Sequence, residues 1–331
     1  MGSSNTPTSA RVSEEFAQVF RARAGPSNTL DFAQFMALAL YDPVLGYYAR
    51  PIARVGYGKE TDFYTASTSG PIFGELIAAA CVGLLNGADP REFEFVEIGA
   101  ETAGGVLTGL NHPFGSARTV RLGSIRNLTG RCVVFSNELF DAQPFRRLAF
   151  RRGAWRELGV ELRGARLDYV EPAAAAPASF PTEAPEGYII DAPIAASDLL
   201  ASIVKEPWTG LFVACDYGKS WAQLATSTPG GTARAYFRHT QSNALLANAG
   251  HQDLTCHICW DWLVDQLNLG GFTNSHVESQ ESFLIRHAGE FISGLATAEA
   301  SRLSQRKLAV MHLLHPSHLG HKFQVLHASR A

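Results

Sequence analysis

Short apolar runs that end in polar or small residues constrain the fold of this chain more than any other feature. The runs are "FEFVEIG" (93–99), "RCVVFSNE" (131–138) and "GLFVACDYG" (210–218). Runs of this length and composition are typical of strands that are buried in a parallel sheet. We therefore expect an α/β fold, and we expect its ligands at the carboxyl ends of these strands.

Helices and loops are predicted around this sheet. Helices are expected over 11–24, over 31–41 with Asp31 as the cap, and from about Pro71 to Leu85. The predicted division of the chain comprises a disordered tail (1–10), an N-terminal helical cover region (11–70), the first part of the core (71–144), an inserted hairpin and Pro/Ala-rich loop (145–200), and the remainder of the core with substrate-side elements (201–331).

Two segments of the predicted insertion have a distinctive composition. The stretch "EPAAAAPASFPTEAPEG" (171–187) is predicted to be a mobile surface loop or linker. The basic cluster "FRRLAFRR" (145–152) is short and interleaved with apolar residues. It is therefore predicted to form the outer face of a strand or hairpin.

The overall composition excludes several classes of function. The chain has 331 residues, of which 46% are hydrophobic, and this is enough for a large core. Its net charge of −3 argues against binding to nucleic acid or to an anionic membrane surface. No apolar run is long enough to span a bilayer, and the N-terminus lacks the apolar core of a signal peptide. The five cysteines are mostly scattered, so we expect the reducing cytoplasm.

The first candidate site follows the first apolar run, in "VEIGAETAGG". Gly99 after a buried strand would let the backbone approach a ligand, and Glu97 could accept hydrogen bonds from an ammonium group or from hydroxyls. Glu101 stands where a second glycine is usual, although Gly104 and Gly105 could supply the close approach. An ordinary strand-to-helix turn is the open alternative.

Polar residues also follow the other two apolar runs. Asn137, Glu138 and Asp141 come after the second run, where two carboxylates could bind a cationic group such as a guanidinium. The alternative is a capped helix start. Asp216 and Tyr217 follow the third run, and their position is typical of a site although the residue types are not specific.

The histidines and cysteines do not predict a metal site. "CHIC" (256–259) has no second cysteine pair and no suitable partner set nearby. His312, His315, His318 and His321 recur every three residues, but Pro316 and Gly320 would break a helix that aligned them. We expect these histidines to lie at the surface or in turns.

Taken in order, several motifs resemble the MidA-type proteins, a family that includes the mitochondrial arginine methyltransferase of respiratory complex I assembly. The motifs extend from about residue 30 to 327 and are "ALYDPVLGYYAR", "DFYTASTSGPIFGELIA", "VEIGA", "SNELFDAQPF", "CDYG", "GTARAYFRHT", "DLTCHICWDWL", "SQESFLIRHAG" and "HLGHKFQVL".

The resemblance implies a class I methyltransferase, with a Rossmann-like sheet, N-terminal helices and an added smaller subdomain. It implies S-adenosylmethionine as the cofactor, and methyl transfer to an arginine of a protein such as a respiratory complex subunit. By position, Glu97, Gly99, Gly104 and Gly105 would belong to the cofactor loop. Asn137, Glu138 and Asp141 would be catalytic, and Asp216 and Tyr217 would lie on the substrate side. A homodimer is left open.

The chain also departs from the family pattern. The family has glycines where this chain has Glu101 and Ala103, and only 37 residues separate Gly99 from Asn137. In the family, a further strand ends in an acid that binds the cofactor ribose. Its counterpart here is "ARTVRLG" (117–123), which has Arg121 in place of the acid. A catalytically silent relative that acts as a binding or assembly factor is therefore the alternative hypothesis. A pocket adapted to another small ligand is a third.

Overall fold

The computed structural model describes residues 10–50, 70–100, 105–171, 180–300, 304–315 and 319–331. Its α-helices are α1 (Glu14–Ala24), α2 (Phe32–Tyr41), α3 (Pro71–Leu84), α4 (Ile194–Val204), α5 (Trp221–Thr226), α6 (Trp260–Leu269), α7 (Gln280–His287), α8 (Gly289–Ala298) and α9 (Gln305–Leu314). Its strands are β1 (Ala10–Arg11), β2 (Thr29–Asp31), β3 (Glu94–Ile98), β4 (Ser116–Val120), β5 (Gly130–Asn137), β6 (Arg146–Arg151), β7 (Ala154–Glu157), β8 (Gly159–Arg163), β9 (Arg166–Val170), β10 (Ile189–Ala192), β11 (Trp208–Asp216), β12 (Gly218–Lys219), β13 (Arg234–Phe237), β14 (Thr240–Ser242), β15 (Asp253–Thr255), β16 (Ile258–Cys259), β17 (Thr273–Ser279) and β18 (Gln324–Arg330).

The described residues group into two compact units, and each unit is built from three stretches of the chain. Unit 1 consists of Met1–Phe63, Asp141–Ala196 and Lys219–Cys259. Unit 2 consists of Tyr64–Phe140, Ser197–Gly218 and Trp260–Ala331. The division predicted from the sequence has consecutive blocks, whereas each unit of the structure combines stretches that are separated along the chain.

Unit 2 contains a mixed sheet with the strand order β17-β18-β11-β5-β3-β4. The strands from β11 to β4 are parallel to their neighbours, whereas β18 is antiparallel to both β11 and β17. The predicted apolar runs form β3, β5 and β11, and Val96 lies opposite Val134 in the register. Apolar side chains from α3, α7 and α9 pack with Phe95, Phe135 and Val213 in one buried cluster. The predicted buried parallel strands are therefore confirmed.

The local sequence explains where two predicted helices begin. Asp31 accepts the backbone N–H of Gln34, and the Gln34 side chain accepts the N–H of Asp31, so the capping box at α2 confirms the predicted cap. Helix α3 begins with Pro71, whose missing N–H costs nothing in the first turn of a helix. Both helices match their predicted bounds to within one residue.

Unit 1 is built from small antiparallel sheets that pack with α1 and α2. The strand orders are β1-β9-β8-β2, β10-β6-β7 and β14-β13-β15. The core of unit 1 contains Phe20, Phe32, Phe35 and Phe145, all of which are buried. The predicted hairpin region is present as the pairs β6–β7 and β8–β9.

Some expectations about the periphery differ from the structure. Ala10, expected in a disordered tail, pairs with Leu167 of β9, while residues 1–9 lie outside the described residues. Arg147, expected on an outer face, is buried because Asp191 on the neighbouring strand pairs with its guanidinium. Residues 172–179 of the predicted mobile loop also lie outside the described residues.

None of the helices in the described part of the chain is both long enough and apolar enough to span a bilayer.

Candidate functional site

The order of the strands in unit 2 locates a crevice at one edge of the sheet. The chain passes from β3 to β4 on one side of β3 and then returns to β5 on the other side. In open α/β sheets, ligands bind at such a reversal, outside the carboxyl ends of the strands. The point lies between the end of β3, at Ile98, and the end of β5, at Asn137.

The backbone conformation directly after β3 requires glycine at position 99. It has φ of 78°, in the left-handed region, and its N–H donates to the carbonyl oxygen of Val120 at 2.8 Å. A Cβ at this position would lie 2.6 Å from Cδ1 of Leu139. The turn after β3 therefore lies against the segment after β5, and only glycine fits without a shift of Leu139.

Glu97 holds the chain that continues from this turn. Its carboxylate is buried, and Oε2 accepts the backbone N–H of Val106 at 2.6 Å. Burial raises the pKa of Glu97 to about 7, and the hydrogen bond from Val106 opposes only part of this shift. Gly105 has φ of 73°, and a side chain there would collide with the carboxylate. Glu101 and Gly104 lie outside the described residues.

A cavity of about 220 Å³ lies beside Glu97, between β3, β4 and residues 107–112. Thr108, His112, Arg118 and Thr119 contribute polar groups to its lining. No described residue makes a hydrogen bond to the buried Nδ1 of His112. No sequence motif marks His112, because it is a single histidine in a loop.

At the end of β5, the backbone of Glu138 and the buried side chain of Asn137 each cost free energy unless another interaction compensates for them. Glu138 has φ of 50°, a conformation that a residue with a Cβ rarely adopts, and its N–H donates to the carbonyl oxygen of Cys215 at 2.9 Å. Asn137 is buried, and its Nδ2 donates to Glu138 Oε1 at 3.2 Å. None of the described residues donates to Asn137 Oδ1. A ligand at the reversal point of the sheet could supply an N–H or O–H to this buried acceptor.

Asp216, at the end of β11, differs from Asn137 because both of its oxygens have partners. Oδ2 accepts the N–H of Phe140 at 2.9 Å, and Oδ1 accepts the N–H of Tyr217 at 2.8 Å. The Tyr217 ring packs edge-on against Phe323, with 5.7 Å between the ring centroids. The Asp216 carboxylate therefore fixes the segment after β5, and it supports the crevice from the adjacent strand.

Asp141 belongs to unit 1, unlike the other predicted site residues. Its side chain is buried, and its carbonyl oxygen accepts the N–H of Cys256 at 3.0 Å. Burial raises the pKa of Tyr41 and Tyr48, and the charges of Asp253 and Asp141 raise both further. Asp141 thus contributes to a buried, acidic part of unit 1 that also contains two tyrosines.

The histidines and cysteines that were expected not to bind metal lie in different elements of the fold. Cys256 and Cys259 are buried. His312 lies in the last turn of α9, His315 follows that helix, and His321 pairs with Glu281 at 2.8 Å. His318 lies outside the described residues. The expectation that these residues do not form a metal site remains a prediction.

Comparisons with known proteins bear on the expected fold and on the expected cofactor. Residues 117–274 match a family model described as "Putative S-adenosyl-L-methionine-dependent methyltransferase". No curated protein matches the chain. A COG1565 superfamily structure from Burkholderia thailandensis, bound to S-adenosylhomocysteine, has a TM-score of 0.82 and 21% identity, and the match covers 96% of this chain and 92% of that chain. A native COG1565 structure from the same organism has a TM-score of 0.78, with the same identity and coverage.

The similarity of these structures confirms the predicted fold class. The chain shares the α/β, Rossmann-like architecture of these two structures, and the sheet of unit 2 is its central sheet. The description of the family model names S-adenosylmethionine, which is also the cofactor that the sequence resemblance implies.

Proposed function

We propose that this chain is an S-adenosylmethionine-dependent methyltransferase that acts on an arginine of a partner protein, of the kind needed for respiratory complex assembly. The observation that carries the proposal is the buried Oδ1 of Asn137, to which no described residue donates, at the reversal point of the sheet, in a fold shared with a protein that binds S-adenosylhomocysteine.

The residues at the crevice fit a cofactor of this type. Gly99 allows a close approach of the backbone, and Asn137 Oδ1 can accept a hydrogen bond from an ammonium or hydroxyl group. Glu97 keeps the loop after β3 in place through Val106. S-adenosylmethionine, when bound, supplies an electrophilic methyl group on a positively charged sulfur.

The chain itself contributes alignment and charge to the reaction. The Glu138 carboxylate would bind the guanidinium of the substrate, hold one nitrogen in line with the methyl group, and take up the proton that this nitrogen loses. The left-handed backbone at Glu138 supports this role, because strain of this kind is concentrated at functional sites. Asp141 keeps its predicted catalytic role as a separate proposal that Asp141→Asn would test.

Transfer of labelled methyl groups to protein, followed by amino-acid analysis for methylarginine, would test the proposal. We expect methylarginine with the wild-type chain and its loss with Glu138→Gln, whereas S-adenosylhomocysteine binding should persist. Glu290→Gln is the matched control, since this side chain is exposed in the first turn of α8. Full activity of Glu138→Gln would contradict the assignment of Glu138.

Cofactor binding has its own test at Asn137. Asn137→Ala should weaken S-adenosylhomocysteine binding by about tenfold, the effect of one lost hydrogen bond in a buried site. Asn268→Ala, at an exposed position of α6, should leave the affinity unchanged. Equal affinities of the two variants would contradict the proposed role of Asn137.

A catalytically silent binding or assembly factor is the second candidate function, and a specific observation favours it. Arg121, not an acid, follows β4, and the described segment 121–129 between β4 and β5 contains no helix. A bidentate acceptor for a ribose is therefore not supplied by this strand end. If the folded chain binds neither S-adenosylmethionine nor S-adenosylhomocysteine, the silent function replaces the enzymatic one.

A further inference from the structure

We propose that Glu278, His287 and His327 of unit 2 form a binding site for a zinc ion. This site is separate in sequence and chemistry from the proposed methyl-transfer residues, and the sequence analysis did not detect it. The three residues come from β17, from the last position of α7 and from β18. One ligand atom from each lies within 4.8 Å of those of the other two.

The distances within this group match the coordination geometry of zinc. Oε1 of Glu278 lies 3.2 Å from Nε2 of His287 and 3.2 Å from Nε2 of His327. Zinc binds imidazole nitrogen and carboxylate oxygen at about 2.0–2.1 Å in a tetrahedron, so neighbouring ligand atoms are separated by about 3.3 Å. A charged hydrogen bond between imidazolium and carboxylate favours about 2.7–2.9 Å. The observed separations therefore match the spacing of two ligand atoms on one zinc ion, and they are longer than a charged hydrogen bond.

A neighbouring hydroxyl orients the carboxylate of this group. The Ser282 hydroxyl donates to Oε2 of Glu278 at 2.6 Å, which leaves Oε1 as the oxygen that faces both imidazoles. Metal ligands are commonly held by such secondary hydrogen bonds. The Phe283 ring lies 5.3 Å from the His287 ring and 5.8 Å from the His327 ring, so an aromatic wall limits the movement of both.

The backbone explains how distant residues come together here. His276 lies opposite His327 in the β17–β18 register, and Glu278 is two residues further along β17, on the same face of the sheet. Helix α7 begins directly after β17, capped by Ser279, and it returns His287 to this face after two turns. The His276 ring lies 5.5 Å from the His327 ring.

The set of donor atoms indicates the class of metal. Two imidazoles and one carboxylate bind zinc in catalytic sites and also bind non-haem iron(II), and the tetrahedral separation of the ligand atoms favours zinc. Three protein ligands leave a fourth position for water or a small anion. A metal ion at this point would join the edge strand β17 to both α7 and β18. The absence of any short spacing between the three residues explains why no sequence motif marks the site.

Metal titration of the tag-free, chelator-treated full chain would test the proposal. We expect one zinc ion to bind per chain, and Co²⁺ to give the visible absorption of a tetrahedral site. His287→Gln should abolish this binding, whereas Ser282→Ala should weaken it by about 10–100-fold. His321→Gln is the matched control, because this exposed histidine also pairs with a glutamate but lies outside the group.

The wild-type titration is decisive even if a variant does not fold. Zinc should raise the Tm of the wild-type chain, since an ion that binds only the folded state stabilises it. No stoichiometric uptake of zinc by the folded wild-type chain would overturn the proposal. Unchanged zinc affinity in a folded His287→Gln variant would also overturn it.

Discussion

Two buried carboxylates, Asp191 in unit 1 and Glu97 in unit 2, lie at or near the ends of strands but have very different surroundings. Asp191 accepts hydrogen bonds from the Arg147 guanidinium at 2.6 Å and from the N–H groups of Thr232 and Ala233 at 2.7 and 2.8 Å. Glu97 has one hydrogen bond from the backbone of Val106, and burial raises its pKa to about 7.

The difference separates an acid whose negative charge is balanced by a cation from one whose charge is poorly compensated. The charge of Asp191 is balanced by a buried cation, so this residue holds β6, β10 and the 232–233 segment together. Glu97 is poorly compensated, and its ionisation costs stability at neutral pH. Perturbed carboxyl groups in crevices are concentrated at functional sites, and this pattern favours the carboxyl edge of the unit 2 sheet over the Asp191 region.

Of the substitutions considered, one that breaks the hydrogen-bond network of Asp191 should change the free energy of unfolding most. Asp191→Asn would leave the Arg147 guanidinium buried without a counter-charge, and we expect the free energy of unfolding to fall by about 3–5 kcal/mol. Urea denaturation measures this loss. Glu161→Gln is the control, since its pair with Arg163 is exposed and should contribute nothing measurable. Equal stability of the Asp191→Asn and wild-type chains would contradict the structural role.

Glu97→Gln should have the opposite effect on stability. The folded-state pKa of about 7 is above the usual value of 4.5, so the folded chain retains a proton that the unfolded chain releases. Stability is therefore expected to fall as pH rises from about 4.5 to about 7, by roughly 3 kcal/mol, and then to stay level. Glutamine keeps an acceptor for Val106 and removes this cost.

Urea denaturation of the wild-type and Glu97→Gln chains at pH 5 and pH 8 would check this prediction. The stabilisation by Glu97→Gln should be small at pH 5 and should be largest at pH 8. The same difference at both pH values would show that the effect does not come from ionisation of Glu97.

Gly99→Ala should have a smaller effect on stability but a specific effect on the crevice. The left-handed backbone alone should cost about 1–2 kcal/mol. Gly153→Ala is the matched control, because it has φ of 72° in a turn of unit 1 with no atom within 4 Å of the added Cβ. Only Gly99→Ala should also weaken S-adenosylhomocysteine binding, since Leu139 must move. Additional substitution Leu139→Ala should restore part of the affinity, and a failure to do so would exclude Leu139 as the cause.

The sequence predicts the strands of the sheet better than it predicts which charged side chains are buried and paired. The strands β3, β5 and β11 follow from local apolar runs, and the cap of α2 follows from Asp31 and its neighbours. The burial of Arg147 could not be predicted in this way, because its partner Asp191 is distant in sequence and reaches it only through the β6–β10 pairing. Interleaved basic and apolar residues gave no sign of which arginine faces inward.

The candidate site was predictable in position but not in detail. The ends of the strands indicated Glu97, Gly99, Asn137 and Glu138, and the strand order brings these positions to one edge of the sheet. The pKa of Glu97 and the burial of Asn137 Oδ1, which accepts no hydrogen bond within the described part of the chain, depend on residues distant in sequence. For the same reason, the Glu278, His287 and His327 group could be recognised only after β17, α7 and β18 were assembled.

Calorimetric titration of the purified chain with S-adenosylmethionine and S-adenosylhomocysteine tests the central claim most directly. We predict binding of one ligand per chain with micromolar affinity, because the crevice between β3 and β5 retains Gly99 and an acceptor on Asn137 that none of the described residues occupies. The absence of binding by the folded chain at millimolar ligand would contradict the enzymatic function and would favour a silent binding or assembly factor.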